Sequence, residues 1–358
     1  MLIYIIFILL IFILPILGKI NITKGVRIYG FTAAFILIFI FCALRFDVGY
    51  DYEMYHMLID GNIKYYTAQI NRIEYLPRQL ILFSQFIGFY QFFFIASSFI
   101  IIYFYYKAIK ENSLDRWIST LIFVCFPLFF SMSLSVVRQF MAVAILFYSF
   151  KYIKQRKFWK YLSVVVVCFF IHKSSILALP IYFIYGNFIN KKIIVFIYIL
   201  GFFSSEILAF FIKLTSERYS IYLDKIGGEG GNLTLIFFQV LGLFLLPLVY
   251  NFRDKEDKKF NFYLLTYFVG LFIWASLSKF GHAGIRAGLY YMSFTILIIP
   301  HLKNKIKEYK IIRESIAIIC FLFFFINLYI GSRHKIKDAN LPYQTYFFKS
   351  AKDFKSNE

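Results

Sequence analysis

The chain has 358 residues, 61% of them hydrophobic and 23% aromatic, with a mean hydropathy of +0.70. Soluble domains hold about 45–50% apolar residues, so a water-soluble globular fold is excluded and an all-α polytopic membrane protein is expected. The formal net charge is +20, from 39 Lys and Arg against 19 Asp and Glu. The basic residues cluster in short loops between apolar runs, as the positive-inside rule describes. Nucleic acid is therefore not an expected partner, whereas membrane lipids and phosphate-bearing lipid substrates are.

In chain order, the first apolar run covers about residues 1–17 and lacks a basic leader and a small-residue cleavage site, so it reads as a retained span. Lys19, Lys24 and Arg27 place the following loop inside. A second span at about 28–44 delivers the segment Arg45-Phe-Asp-Val-Gly-Tyr-Asp-Tyr-Glu-Met-Tyr55 to the outside. The loop over 45–75 carries mixed charge, including Lys64 and Glu74, and 76–90 reads as an interfacial or re-entrant helix. A full span at about 91–106 precedes the inside residues Lys107, Lys110 and Arg116.

Spans at about 117–134 and 137–152 form a predicted hairpin with its outer turn at 131–135. The stretch 161–190 is interrupted at Ile171-His-Lys-Ser-Ser175, giving either two short helices or a re-entrant hairpin. Further spans fall at about 193–213, 232–250, 261–277, 287–302 and 314–331. They are separated by a Gly-rich outer loop at Gly227–Gly231, inside runs starting at Arg253 and Lys303, and a basic tail with Arg333, Lys335 and Lys337. The expected architecture is about 10–12 transmembrane helices plus re-entrant or interfacial segments. Residues 1–345 form one transmembrane domain, and 346–358 a polar tail.

Ionisable residues at membrane depth cost roughly 2.5–3.5 kcal/mol each on insertion scales, so they persist where something uses them. With this sidedness the Arg45 segment, Arg138-Gln139, His172-Lys173, His282, Arg286 and the tail all lie toward the outer side. As a helix, the Arg45 segment would put Asp47, Asp51 and Tyr55 on one face, and Gly49 permits a tight turn or close approach of a ligand. Two readings stand for each group. Arg138 is either an interfacial arginine reaching to headgroups or a fork for phosphate. His172 is either a satisfied residue in a helix break or a general base near neutral pH, with Lys173 as a second cation. Arg286 and Tyr290, four residues apart, are either an interfacial anchor or a pyrophosphate or sugar contact.

The four cysteines sit in apolar runs without metal spacing. There is no Walker loop, no GxGxxG after a strand, and no His/Cys zinc spacing. The expectation is no metal and no cofactor, with chemistry run by basic residues and carboxylates.

At these residues the chain resembles the EpsG/Wzy family of polysaccharide polymerases. The resemblance rests on Arg45-x3-Gly49-x-Asp51-x3-Tyr55, then Arg138-Gln139 with Ala142, then Phe170-Ile-His172-Lys-Ser174, Arg286-x3-Tyr290 and Leu-Pro342-Tyr343. It departs from the family at Ile171, which separates Phe170 from His172, and at Ser175, where Ala is common. The resemblance implies a bacterial inner-membrane glycosyltransferase that joins undecaprenyl-pyrophosphate-linked oligosaccharides for O-antigen, capsule or exopolysaccharide. It would work with a flippase and a chain-length regulator of the same pathway. Under it, Asp51, His172 and Arg138 are the catalytic candidates. Arg45, Gly49, Tyr55, Gln139, Lys173, Ser174, His282, Arg286, Tyr290 and Tyr343 are the substrate-binding candidates. A flippase for the same lipid-linked unit and a membrane O-acyltransferase of exported glycan are the alternatives. A flippase normally shows internal repeats, which are missing here. The acyltransferase reading lacks an early histidine, the first being His56.

Overall fold

The computed structural model describes residues 2–20, 24–61, 69–186, 190–215, 232–251, 257–332 and 341–349. Lys64, the Gly227–Gly231 loop, Arg253 and the tail residues Arg333, Lys335 and Lys337 lie outside the described residues. The chain is an all-α polytopic membrane protein. Among the described residues, five helices are long and apolar enough to cross a bilayer, within Gln91–Asn112, Lys191–Phe210, Leu233–Tyr250, Ala283–Asn304 and Tyr309–Tyr329. Shorter apolar helices accompany them.

Two compact units form. The first draws on Met1–Tyr148, Val167–Lys173 and Lys307–Glu358, and the second on Ser149–Val166 and Ser174–Ile306. In the first unit the helices are α1 (Leu2–Ile20), α2 (Lys24–Ala43), α3 (Tyr52–Asp60), α4 (Tyr75–Phe86), α5 (Gln91–Asn112), α6 (Arg116–Cys125), α7 (Phe130–Ser135) and α8 (Val137–Tyr148). Helix α2 packs on α1 and α5, and α5 packs on α8. Asp115 starts α6 by accepting from the Ile118 amide at 3.3 Å.

The hairpin predicted for 117–134 and 137–152 is not two continuous spans. Pro127 has no amide hydrogen and forces Phe126 into an extended conformation (φ −76°, ψ 133°), so α6 stops at Cys125. The expected outer turn is the short helix α7, and Val136 (φ −106°, ψ 62°) breaks the chain before α8. Helix α4 has 12 residues, matching the expectation of a short helix at this place.

A two-stranded antiparallel pair closes this unit. Strand β1 (Arg45–Phe46) pairs with β2 (Gln344–Thr345), with Arg45 opposite Thr345 and Phe46 opposite Gln344. The Tyr343 hydroxyl donates to the Phe41 carbonyl at 2.7 Å, and its ring stacks on Phe41 at 4.1 Å. The C-terminal stretch is thus strapped to the end of α2.

In chain order from Ser149, the helices are α9 (Phe150–Lys154), α10 (Phe158–Ile171), α11 (Ile181–Ile184), α12 (Lys191–Thr215), α13 (Asn232–Asn251), α14 (Lys258–Ser276), α15 (Ala283–Met292), α16 (Ile298–His301) and α17 (Tyr309–Ser332). The chain passes from the second unit to the first within α10, and back between Lys173 and Ser174. After the break at His172 it runs as a 3₁₀ segment, Lys173–Ala178, and reaches α11 through Pro180. The span expected at 287–302 begins earlier, at Ala283, and loosens into a 3₁₀ segment at Ser293–Leu297. In the second unit α14 packs against α12, α13 and α15. The crossing of α14 and α15 requires glycine: a Cβ on Gly288 would stand 2.9 Å from the Gly270 carbonyl.

Candidate functional site

The Arg45 segment is built as a clamp and not as one helix. Asp47 (φ +50°) and Gly49 (φ +99°) turn the chain, and the helix begins only at Tyr52. Asp47, Asp51 and Tyr55 therefore do not share a helical face: Asp51 is the residue before the first turn of α3, and Tyr55 lies within it. A Cβ on Gly49 would sit 2.0 Å from the Leu134 carbonyl oxygen, so only glycine lets this turn meet the end of α7. Arg45, expected among the substrate-binding residues, is 2% exposed. Its guanidinium donates to the Cys42 carbonyl at 3.2 Å, lies 3.5 Å from both Ser98 Oγ and the Leu134 carbonyl, and covers the Phe94 ring. Gln91 completes the clamp, donating to the carbonyls of Ala43 (2.6 Å) and Arg45 (3.0 Å) and accepting from the Tyr52 hydroxyl (3.1 Å). Burial away from solvent makes each of these polar groups depend on its partner.

This clamp holds α3 so that Tyr55 meets Arg138 at the start of α8. Arg138 Nε donates to the Tyr55 hydroxyl at 2.7 Å, and Nη1 donates to Glu74 Oε2 at 2.5 Å. The other carboxylate oxygen, Oε1, lies 3.1 Å from His172 Nδ1 and accepts the Lys173 backbone N–H at 3.3 Å. The His172 contact is a close electrostatic approach whose alignment falls short of a linear hydrogen bond.

Three elements meet at one carboxylate. Glu74 precedes α4 with an extended backbone and does not cap its own helix, so its side chain is available to the other two. Helix α4 is tied to α3 by Gln85 Nε2 donating to the Leu58 carbonyl at 2.9 Å. The end of α10 is tied to α8 by Cys168 Sγ, 3.7 Å from the Ala142 carbonyl, and His172 follows with its amide on the Cys168 carbonyl.

The electrostatics follow from this packing. Burial alone would raise the Glu74 carboxyl pKa, but the His172 contact and the Arg138 charge outweigh it and hold the group at about 2. Burial pushes the Tyr55 hydroxyl well above the usual phenol range, with the Arg138 charge opposing, so it stays a neutral phenol. Glu74 is 8% exposed, while Arg138 and His172 keep 21% and 18% of their side-chain surface open. Arg138 Nη2 and His172 Nε2 have no protein partner among the described residues. The cluster therefore presents one guanidinium donor group and one ring nitrogen, both fixed from behind. Asp51 adds negative potential felt by Tyr55 and Arg138.

Of the sequence candidates, Tyr55, Arg138, His172 and the Lys173 backbone come together here. The Lys173 side chain is exposed. Arg45 is the interior clamp described above, Gln139 is wholly buried, and Tyr343 is held by Phe41. In the second unit Ser174 Oγ and the Tyr290 hydroxyl are hydrogen-bonded at 2.8 Å. Arg286 and His282 are exposed on and just before α15. The residue that sequence reasoning passed over is Glu74, taken as one more loop charge. Its only local signal was its position directly before a helix. Among the described residues no group of three or more His, Cys, Asp or Glu is placed to hold a metal ion.

The sequence profile described as the EpsG family matches residues 28–345, an interval that contains Glu74, Arg138 and His172. Comparison with curated proteins and with solved structures gives no match. With a multi-span helical body and a profile covering most of its length, the chain belongs to the EpsG family, a family of Wzy-type polysaccharide polymerases.

Proposed function

We propose that this polymerase takes a lipid-pyrophosphate-linked glycan as donor and extends it on the outer face of the bacterial cytoplasmic membrane. The growing chain is transferred from its undecaprenyl pyrophosphate carrier to the non-reducing end of an incoming lipid-linked unit. His172 Nε2 takes the proton of the acceptor hydroxyl, whose oxygen attacks the anomeric carbon of the donor. The bond between that carbon and the pyrophosphate oxygen breaks, and the electron pair leaves with the lipid pyrophosphate. Arg138 stabilises the charge developing there through its outward Nη2, with Lys173 as a further cation. No metal is needed for these steps, because fixed cations supply the charge stabilisation.

The observation that carries this reading is a guanidinium and an imidazole brought together from positions 138 and 172, each with a nitrogen unbonded among the described residues. The test is a surface-glycan ladder from a deletion strain complemented with wild type, Arg138→Ala or His172→Ala. Wild type restores long chains, and each variant, present in the membrane at normal amount, leaves single-unit products. Normal ladders from both variants remove these residues from the reaction. Loss of all surface glycan on deletion, with no single-unit caps, favours a flippase. Unchanged chain length with loss of acetyl groups favours an acyltransferase.

A further inference from the structure

We propose that Glu74 is the positioning residue of this site: its carboxylate holds the His172 ring with the proton on Nδ1, leaving Nε2 as the accepting atom, and fixes the direction of the Arg138 fork. The inference rests on the reading of His172 and Arg138 given above.

The geometry separates the duties of the two carboxylate oxygens. Oε2 takes Arg138 Nη1, while Oε1 faces His172 Nδ1 and the Lys173 amide. A carboxylate has only acceptor capacity when ionised, and Glu74 is held ionised by its surroundings. A lone pair 3.1 Å from that charge would be repelled, so Nδ1 carries the proton although its alignment is not that of a hydrogen bond, and the other nitrogen is the lone-pair atom. Neutral imidazole in water tends to the opposite tautomer, so the choice has to be imposed by a neighbour.

Glu74 itself is poorly placed to meet a substrate. It is 8% exposed, and both oxygens are occupied. A carboxyl with a pKa of about 2 is also a weak base toward a sugar hydroxyl. Its value lies in what it does to the two groups in front of it. When Nε2 takes the hydroxyl proton, the ring becomes a cation beside an anion already in place, so no solvent has to reorganise. The formal charge of the Glu74–Arg138–His172 trio goes from zero to +1 as the leaving pyrophosphate gains negative charge. The proton then passes to the released pyrophosphate or to water, and the trio returns to zero. With Nε on Tyr55 and Nη1 on Glu74, only Nη2 of Arg138 can turn outward, so the fork has one heading.

The experiment uses the full-length chain in lipid nanodiscs with a purified lipid-pyrophosphate-linked oligosaccharide. Glu74→Gln keeps the shape and removes the charge; Glu74→Asp keeps the charge and shortens the reach; Glu74→Ala removes the acceptor. The expected result is a fall in kcat of roughly 10²-fold for Glu74→Gln and Glu74→Ala, within the range of general base catalysis. KM changes little, and Glu74→Asp regains part of the rate. ¹⁵N NMR of histidine-labelled protein reads the tautomer without turnover: His172 is in the Nδ1–H form in wild type and shifts toward Nε2–H in Glu74→Ala. Wild-type kcat in Glu74→Gln and Glu74→Ala, or an Nε2–H ring in wild type, overturns the inference. A dead His172→Ala beside an active Glu74→Ala sinks the positioning role and leaves the proposed function standing. No polymer from wild type, with the tautomer still dependent on Glu74, sinks the proposed function alone. If Glu74→Ala fails to fold, the Gln and Asp variants carry both readouts.

Discussion

Two places in this molecule use the same three kinds of side chain, and they differ in what the carboxylate is doing. In the second unit Asp257 lies 3.2 Å from His301 Nε2 and 2.8 Å from Lys305 Nζ. In the first, Glu74 lies between His172 and Arg138. Asp257 also caps α14, accepting the Phe260 amide at 3.0 Å. His301 stacks on the Phe260 ring at 5.6 Å, and Lys305 covers the same ring at 5.1 Å. Burial would raise the Asp257 carboxyl, but Lys305 and the cap amide outweigh it and lower its pKa. The Asp257 trio staples the start of one helix to the end of another. Glu74 does not cap its own helix, and among the described residues Arg138 Nη2 and His172 Nε2 are unbonded and open, whereas the unbonded His301 Nδ1 is buried. A carboxylate, a histidine and a cation thus do not mark a site by proximity alone. What marks it is nitrogens held from behind and open in front.

The sharpest way to break the comparison is Arg138→Lys. The three donors of an ammonium sit on one atom and cannot reproduce the separate Nε, Nη1 and Nη2 positions of the planar fork, so polymer formation falls roughly 10²-fold or more. Lys305→Met leaves chain length within about twofold of wild type, since Lys305 serves the Asp257 carboxylate that caps α14; in vitro polymer yield compares the two. If both variants lose polymer equally, the distinction drawn between the trios is wrong.

Next in size is Gly49→Ala, which sets a methyl against the Leu134 carbonyl in left-handed backbone. It costs on the order of 3 kcal/mol, read as a lowered Tm in detergent, and it disturbs the first trio while sparing the second.

Glu74→Gln removes the charge from a partly buried pair and lowers stability by about 1.5–3 kcal/mol at neutral pH. The sign with pH follows from the depressed carboxyl. Its folded pKa of about 2 lies below its ordinary value of 4.5, so its stabilisation is complete above that ordinary value and drains away as pH falls toward about 2. A Tm series from pH 7 to pH 3 shows that loss in wild type and lacks it in Glu74→Gln.

Asp257→Ala is expected to cost about 1–2 kcal/mol from the lost cap, with an unchanged glycan ladder. Tyr55→Phe is the mildest: it removes one hydroxyl from Arg138 and costs about 1 kcal/mol. It slows polymerisation several-fold, because the guanidinium keeps only Glu74 to direct it. A Tyr55→Phe rate equal to wild type limits the orienting role to Glu74.

Much of the fold is legible residue by residue. Apolar runs announce the helices because a backbone in lipid must satisfy its own hydrogen bonds. Pro127 carries the signal for the break after α6, since it removes a donor and pushes Phe126 out of helical geometry, but the reading of 117–134 as one span did not use it. Reading 131–135 as a simple turn overlooked that five or six residues suffice for a further helical turn. Arg138 and His172 stood out because charge at membrane depth is costly. Arg45 stood out for the same reason, yet its cost is met by the Cys42 carbonyl, Ser98 and Leu134 in the interior. Position in the sequence does not distinguish a charge neutralised from within from one left for a ligand.

The sequence by itself determined the solvent this chain lives in, the order of its long apolar helices, its family, and which basic side chains were worth attention. Only the tertiary structure decided that Glu74 is the partner joining Arg138 and His172, across 64 and 98 positions of chain. The reason is physical. Hydrophobic periodicity is a local, averaged signal of burial, whereas an ion pair depends on which surfaces packing brings within about 3 Å, and a loop glutamate carries no mark of that distance.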